Sequence, residues 1–296
     1  MTTIAHISDV HLAPLPKLRP AELLNKRFTG FINWHLNRSD YMHRDLLVNL
    51  VTHMKALRPD FVAVTGDLIN LGHPLEMEAS RKWLEALGPA EKVCVVPGNH
   101  DAYVPGAHKL AREVWGEYMS GEKLDGAHYP YVRRVDDVAV IGCSSAIATP
   151  PFMAHGDFDQ AQADRLDRCL QLLGKGEYFR IVLIHHPPAG DDMQAWRRGL
   201  YGAERFAEVV ATSGAELVLH GHIHRSTINA LRGPLGDIPV IGVAAASASA
   251  HEGEDPARYN LFKIERAGTK WQCKMTEYGY QRIGTEVSKR LHMRIY

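Results

Sequence analysis

Short runs that are apolar at every position alternate along this chain with longer segments of helical period, and that alternation confines it to an α/β fold. Phe61-Val62-Ala63-Val64 and Ile181-Val182-Leu183-Ile184 have the continuous apolar character of strands buried on both faces. Strands are expected at Thr3–Ser8, Asp60–Thr65, Lys92–Val96, Val138–Cys143, Arg180–His185 and Glu216–His220. Helices are expected between them at Asp45–Leu57, Leu75–Leu87, Ala107–Met119, Asp159–Leu173 and Gly202–Thr212. After Gly221 the rhythm changes to successive strands, expected antiparallel, at Thr227–Leu231, Pro239–Val243, Tyr259–Ile264 and Lys270–Glu277. There is no linker rich in Pro, Gly or Ser and no fixed-period repeat. Residues 1–296 are therefore read as one domain with two facing sheets. Pro14–Ser39 breaks the rhythm as an inserted segment.

Composition removes several alternatives. An apolar fraction of 45% and a charged fraction of 23% describe a globular chain. Lys plus Arg and Asp plus Glu both number 34, so zero net charge gives no broad electrostatic surface for nucleic acid. No uncharged apolar run approaches the ~18 residues of a membrane-spanning helix. The four cysteines, Cys94, Cys143, Cys169 and Cys273, form no CxxC pair. A disulfide framework and a thiolate zinc site are disfavoured, and a reducing cytoplasm is the expected location. The unusual number is 17 histidines.

Several of these histidines sit where strands end. The ends read Ser8-Asp9-Val10-His11, Thr65-Gly66-Asp67, Pro97-Gly98-Asn99-His100-Asp101, Ile184-His185-His186-Pro187-Pro188 and His220-Gly221-His222-Ile223-His224. In open α/β sheets, ligand sites form beyond the carboxyl ends of the strands. Taken singly, each motif is also what a capped turn or a buried core histidine looks like. Taken together they converge enough Asp, Asn and His for two metal ions.

In this order the motifs resemble the calcineurin-like metallophosphoesterase superfamily over residues 9 to 224. His6-Ile7-Ser8-Asp9-Val10-His11-Leu12, His155-Gly156-Asp157 and His185-His186-Pro187-Pro188 resemble its bacterial class III cyclic nucleotide phosphodiesterase branch. The resemblance implies a four-layer α/β/β/α sandwich, with two facing mixed sheets flanked by helices. It also implies roles. Asp9, His11 and His224 hold a first metal, Asp67 bridges, and Asn99, His185 and His222 hold a second. Oxygen and imidazole ligands without thiolate suit Mn, Fe or Zn. Two ions would clamp a phosphate, acidify a water and let hydroxide attack phosphorus in line. His100 would protonate the leaving group, with Asp101 orienting its imidazole. Gly221 would allow the irregular backbone that His222 and His224 need.

The expected activity is that of a dinuclear metal-dependent phosphodiesterase on a small nucleotide-like or other organic phosphodiester. A phosphomonoesterase or pyrophosphatase, with a lipid-linked substrate among the options, is the second reading. A non-catalytic scaffold on the same fold is the third, disfavoured because every ligand position is filled. His155, Arg197 and His251 are candidate substrate contacts. In the inserted segment, Lys17, Arg19, Lys26, Arg27 and Arg38 against Glu22 give residues 17–39 a net charge of +4. With Phe28, Phe31, Ile32 and Trp34, this stretch reads as a substrate-gripping lid, a lipid-facing helix, a homodimer contact or a helix packed on the domain. Arg27 and Trp34 are its candidate substrate contacts.

Overall fold

The wholly apolar runs become central strands. A computed structural model describes residues 1–38, 42–191, 195–249, 254–282 and 284–296. In chain order its strands are β1 (Thr2–Ile7), β2 (Phe61–Val64), β3 (Val93–Val95), β4 (Tyr131–Val135), β5 (Val138–Gly142), β6 (Gly156–Asp157) and β7 (Phe179–Leu183). They continue as β8 (Leu200–Tyr201), β9 (Leu217–His220), β10 (Thr227–Gly233), β11 (Gly236–Gly242), β12 (Arg258–Ala267), β13 (Lys270–Gly279) and β14 (Ser288–Arg294). The helices are α1 (Arg27–Asn33), α2 (Arg44–Ala56), α3 (Pro74–Leu87), α4 (Ala107–Trp115), α5 (Gln160–Lys175) and α6 (Ala203–Ser213).

Two six-stranded sheets result, in the orders β14-β13-β12-β1-β2-β3 and β10-β11-β9-β7-β5-β4. In the first, β1, β2 and β3 are parallel and β12 to β14 extend it antiparallel. In the second, β5, β7, β9 and β11 are parallel, and the edge strands β4 and β10 are antiparallel to their neighbours.

Period-two alternation decides which face of the second sheet meets which layer. Ile181 and Leu183 of β7 and Leu217 and Leu219 of β9 share a core with Ile4, Val64 and Phe262 of the first sheet. Val182, Ile184 and Val218 point the other way, into a core with Leu166, Leu170, Phe206 and Val210 of α5 and α6. Helices α2 and α3 cover the first sheet, burying Leu47, Leu50, Met54, Met77 and Leu84. The helix–sheet–sheet–helix layering is the expected one.

Three elements depart from the expected pattern. The rhythm after Gly221 predicts an antiparallel β11; it is so toward β10, but it pairs parallel with β9. β4 and β14 lie outside the expected strands. Their Arg133, Arg134, Lys289, Arg290 and Arg294 fit sheet edges, where charge discourages further pairing. Helix α4 stops at Trp115, short of the expected Met119.

The inserted segment is helical. A 3₁₀ turn at Pro20–Leu23 precedes α1, and a π-helical turn, Trp34–Arg38, follows it. Gly30 lies where α1 meets the Tyr103 hydroxyl, and a Cβ there would sit 2.6 Å from Leu71 Cδ2. A larger residue there would require Tyr103 or Leu71 to shift.

Candidate metal centre

Five strands deliver their carboxyl ends to one crevice. Asp9 and His11 follow β1, Asp67 follows β2, and Asn99, His100 and Asp101 follow β3. His185 and His186 follow β7, and His222 and His224 follow β9. Of nine non-glycine residues with positive φ among those described, five are candidate ligands: Asp9 at 51°, His11 at 41°, Asp67 at 54°, His222 at 72° and His224 at 54°. Left-handed residues break the alternation of an extended chain, so residues two apart can present side chains to one place. The loops are laced together, with Asp9 N–H donating to the Gly66 carbonyl and His11 N–H to that of Asp67, both at 3.0 Å. Gly221 serves differently from the expectation. The positive φ falls on His222 and His224 themselves, and glycine is needed because a Cβ would strike Ser8 Oγ and Asp9 Oδ2.

The crevice brings the expected ligand residues together. The ligand atoms of Asp9, His11 and His224 lie within 4.8 Å of one another, as do those of Asp9, Asp67 and His185. Asp67 Oδ2 lies 3.8 Å from His11 Nε2 and 3.4 Å from His185 Nε2. Asn99 Oδ1 is 3.2 Å from His185 Nε2 and 2.9 Å from His222 Nδ1. Asp9 therefore reaches the neighbourhood of His185 as well as that of His11, beyond its expected place in the first set.

The far nitrogens of the rings are held by acceptors, which orients the near ones. His185 Nδ1 is 2.6 Å from the Thr65 carbonyl, His11 Nδ1 3.2 Å from that of Ile69 and His222 Nε2 2.9 Å from that of Arg198. His224 Nδ1 is 3.1 Å from Glu254 Oε1. A carbonyl can only accept, so in the first three rings the bonded nitrogen carries a hydrogen, and the other is the one left to meet a metal ion.

The electrostatics favour cations. Burial works against the charge of Asp9, yet its hydrogen bond to His224 holds it below the carboxylate range. Burial also opposes ionisation of Asp67, and His185 and His100 draw it well below its usual value. Against the pull of burial, Asp67 lifts His185 to about 9, and Asp9 with Glu254 lifts His224 to about 9. Burial and the His185 charge press His222 down to about 3. Two buried carboxylates ringed by imidazole nitrogens and an amide oxygen match the donor set of a divalent metal pair, so the residues fit such ions.

The third-strand loop corrects one expectation. Asp101 does not orient His100. Its Oδ2 accepts the N–H groups of Asp67 and Gly98 at 2.8 Å each, and its Oδ1 those of Leu68 at 3.0 Å and Ile69 at 3.4 Å. Asp101 thus pins two ligand-bearing loops. Burial, then the Asp67 charge, pushes its carboxyl up to about 8 against the pull of those N–H groups. His100 is oriented by the Asn70 carbonyl, 2.6 Å from Nδ1, and by stacking on Tyr103 at 5.3 Å. His186 is bonded through both nitrogens, to Ser145 Oγ at 2.7 Å and to the Ala154 carbonyl at 3.0 Å.

The candidate substrate contacts divide. Arg27 donates to the carbonyls of Leu71 and Gly72 at 3.1 and 2.8 Å, so its guanidinium fastens α1 to the body. Trp34 is buried with Met42, Ala245 and Ala248. The two side chains expected to meet substrate thus hold the inserted segment to the body of the protein. His155 packs on Tyr201 at 4.5 Å and its buried Nδ1 has no hydrogen-bond partner among the described residues. Arg197 is exposed, over the Trp196 ring. His251 lies outside the described residues. Lys26, counted in sequence only as one basic residue of the inserted segment, reaches inward. Its ammonium lies 4.5 Å over the Tyr103 ring and donates to Thr149 Oγ1 at 2.6 Å and the Met153 carbonyl at 2.9 Å. Nothing in sequence distinguishes it from the neighbouring Arg27.

Comparisons with known proteins agree with this geometry. The profile of calcineurin-like phosphoesterases matches residues 2–226. A probable cyclic nucleotide phosphodiesterase of Synechococcus sp. is 26% identical over 226 residues, covering 75% of this chain and 78% of that protein. Another from Rhodococcus erythropolis is 26% identical over 229 residues, covering 76% of this chain and 65% of that protein. Among solved structures, a dimetal phosphatase from Danio rerio superposes with a TM-score of 0.63 at 14% identity, over 100% of this chain and 99% of that one.

Proposed function

Because the chain belongs to the calcineurin-like phosphoesterase family, we propose that it is a dinuclear-metal phosphodiesterase of small organic phosphodiesters, cyclic nucleotides first among them. The observation that carries the reading is the position of Asp67, whose Oδ2 lies within reach of both His11 Nε2, at 3.8 Å, and His185 Nε2, at 3.4 Å. A carboxylate so placed can bridge two cations. The relatives named as cyclic nucleotide phosphodiesterases support the diester, and zero net charge speaks against a polynucleotide.

Asp9, His11 and His224 would hold one ion, Asn99, His185 and His222 the other, and Asp67 both. Two such ions supply Lewis-acid polarisation of the phosphoryl oxygens and acidification of a water. His100 has Nδ1 committed to Asn70 and its ring fixed against Tyr103, so Nε2 is the atom that would deliver a proton to the leaving oxygen. Asp101 keeps the Asp67 and Asn99 loops at one spacing.

The test is turnover after loading the metal-free protein with Mn²⁺, Zn²⁺ or Fe²⁺. The panel holds 3′,5′- and 2′,3′-cyclic nucleotides, glycerophosphodiesters, an aryl phosphodiester, phosphomonoesters and nucleoside diphosphate conjugates. Faster hydrolysis of diesters supports the reading, and hydrolysis of monoesters or pyrophosphate bonds alone overturns it. A lipid-linked phosphoester is the second reading. It is favoured by Phe28, Ile32 and Leu36, spaced by four and exposed on the outer face of the inserted helical segment. Co-sedimentation with anionic vesicles, lost in Phe28→Ser/Leu36→Ser, would support it.

A further inference from the structure

Lys26 is the cation of the inserted segment whose ammonium lies over an aromatic ring and reaches the loops of both sheets. Its side chain is half-buried, leaving the inserted segment just before α1 and reaching inward over the Tyr103 ring. Tyr103 belongs to the loop after β3, and its ring stacks on His100. Thr149 and Met153, which accept from the ammonium, belong to the loop after β5 of the other sheet. The ammonium therefore sits between the loops of the two sheets, one ring away from His100. An ammonium has three donors. Two are used here, both on neutral oxygens, and among the described residues no carboxylate pairs with it. A dehydrated cation with only neutral partners is costly. Burial accordingly draws Lys26 down to about 8, and the one charge that opposes this is Asp67 at the metal centre. Lys26 is near enough to His155 to depress that histidine too, after burial.

We propose that Lys26 is a substrate-binding residue, whose remaining N–H meets an anionic oxygen of the substrate on the leaving-group side of the metal centre. The inference rests on the phosphodiesterase reading and adds to it a ligand class. Within that reading the chain favours phosphodiesters that carry a second negative group, a phosphate or carboxylate, within reach of the scissile phosphorus, over cyclic nucleotides, whose single negative charge lies on the scissile phosphate itself. The ammonium is a point charge that can favour that oxygen without prescribing the rest of the molecule.

The experiment measures binding and turnover separately. Calorimetry on the Mn²⁺-loaded protein would compare inorganic phosphate with methylenediphosphonate, which cannot be hydrolysed. Lys26→Met should bind the diphosphonate at least tenfold more weakly, and Lys26→Arg should recover most of the loss. An equal loss for phosphate would place the contact on the scissile phosphoryl group itself. A loss confined to diphosphonate would place it on the neighbouring anion. Thr149→Val removes one neutral contact and keeps the charge, so it should bind like the parent. Unchanged affinity in Lys26→Met overturns the proposal. So does an equal loss in Thr149→Val with an equal fall in melting temperature, since Lys26 would then be only a clasp between loops. Turnover by the parent on the aryl phosphodiester tests the phosphodiesterase reading on its own. Its failure leaves the binding result standing as a test of Lys26.

Discussion

Asp101→Asn separates the two roles this carboxylate could have. A group that orients His100 would act on turnover. A group that pins two loops acts first on stability. In the structure Asp101 Oδ2 takes two backbone N–H groups at 2.8 Å, and Oδ1 takes two more at 3.0 and 3.4 Å. Asparagine keeps one oxygen. In its better orientation it still serves Asp67 and Gly98, and its amide then faces the N–H groups of Leu68 and Ile69. A buried donor stripped of its acceptor costs about 1–3 kcal/mol. The Ile69 bond is long, so the pair together should cost about 2–4 kcal/mol. For a chain of 296 residues, unfolding entropy near ~2.1 cal/mol/K per residue gives ~0.6 kcal/mol/K, and Tm should fall by roughly 3–7 °C. Differential scanning calorimetry of the metal-free protein at about pH 9, where a carboxyl raised to about 8 is ionised, measures this. Bound Mn²⁺ should fall as well, since the displaced loops carry Asp67 and Asn99. An unchanged melting temperature with a large loss of turnover would refute the reasoning and return Asp101 to the imidazole.

Asp67→Ala should reduce bound metal more than any other single ligand change while leaving the far-ultraviolet circular dichroism intact, and parental metal content in that variant would remove Asp67 from the bridge. His100→Ala should keep its metal and lose about 10²–10⁴ in kcat on a diester with a poor leaving group; the loss should shrink on an aryl ester that needs no proton, and an equal loss on both would deny His100 the acid's role. His6, fully buried with Nε2 on Thr65 Oγ1, is lowered to about 3 by burial and then by His220. Its neutral form is the folded one, so its stability contribution is intact above pH ~6.5. That contribution declines by about 1.4 kcal/mol per pH unit as the pH falls from there toward 3. Denaturant unfolding of metal-free parent and His6→Gln between pH 7 and pH 4 should differ by about one proton in slope, and parallel curves would contradict the shift.

Legibility in sequence follows distance along the chain. Asp-x-His, Gly-Asp, Asn-His-Asp and Gly-His-x-His are each local, and a strand end turns local spacing into shared direction, so candidate ligands are legible from spacing, while their division between two metals is what the family resemblance implies. What orients them is not. The partners of His11, His100 and His185 are the carbonyls of Ile69, Asn70 and Thr65, and every residue has a carbonyl. Asp101 misleads for the same reason, because its partners are backbone N–H groups. Arg27 and Lys26 are adjacent in sequence and alike in charge. The docking of α1 sends Arg27 to the carbonyls of Leu71 and Gly72 and Lys26 over the Tyr103 ring to Thr149 and Met153. The edge strands β4 and β14 are hard to read because charged residues obscure their alternation.

The left-handed residues at the strand ends set selection for durability against selection for chemistry. An L-residue held in that conformation costs roughly 1–2 kcal/mol, less for aspartate, whose short side chain tolerates it. Asp9, His11, Asp67, His222 and His224 all carry this strain. Glycine at any of them would relax the backbone and remove a candidate ligand in the same step. Heat-resistance screening without an assay for turnover should therefore enrich losses at these positions. A descendant freed from its reaction would drift toward glycine there while the sheets beneath stayed intact.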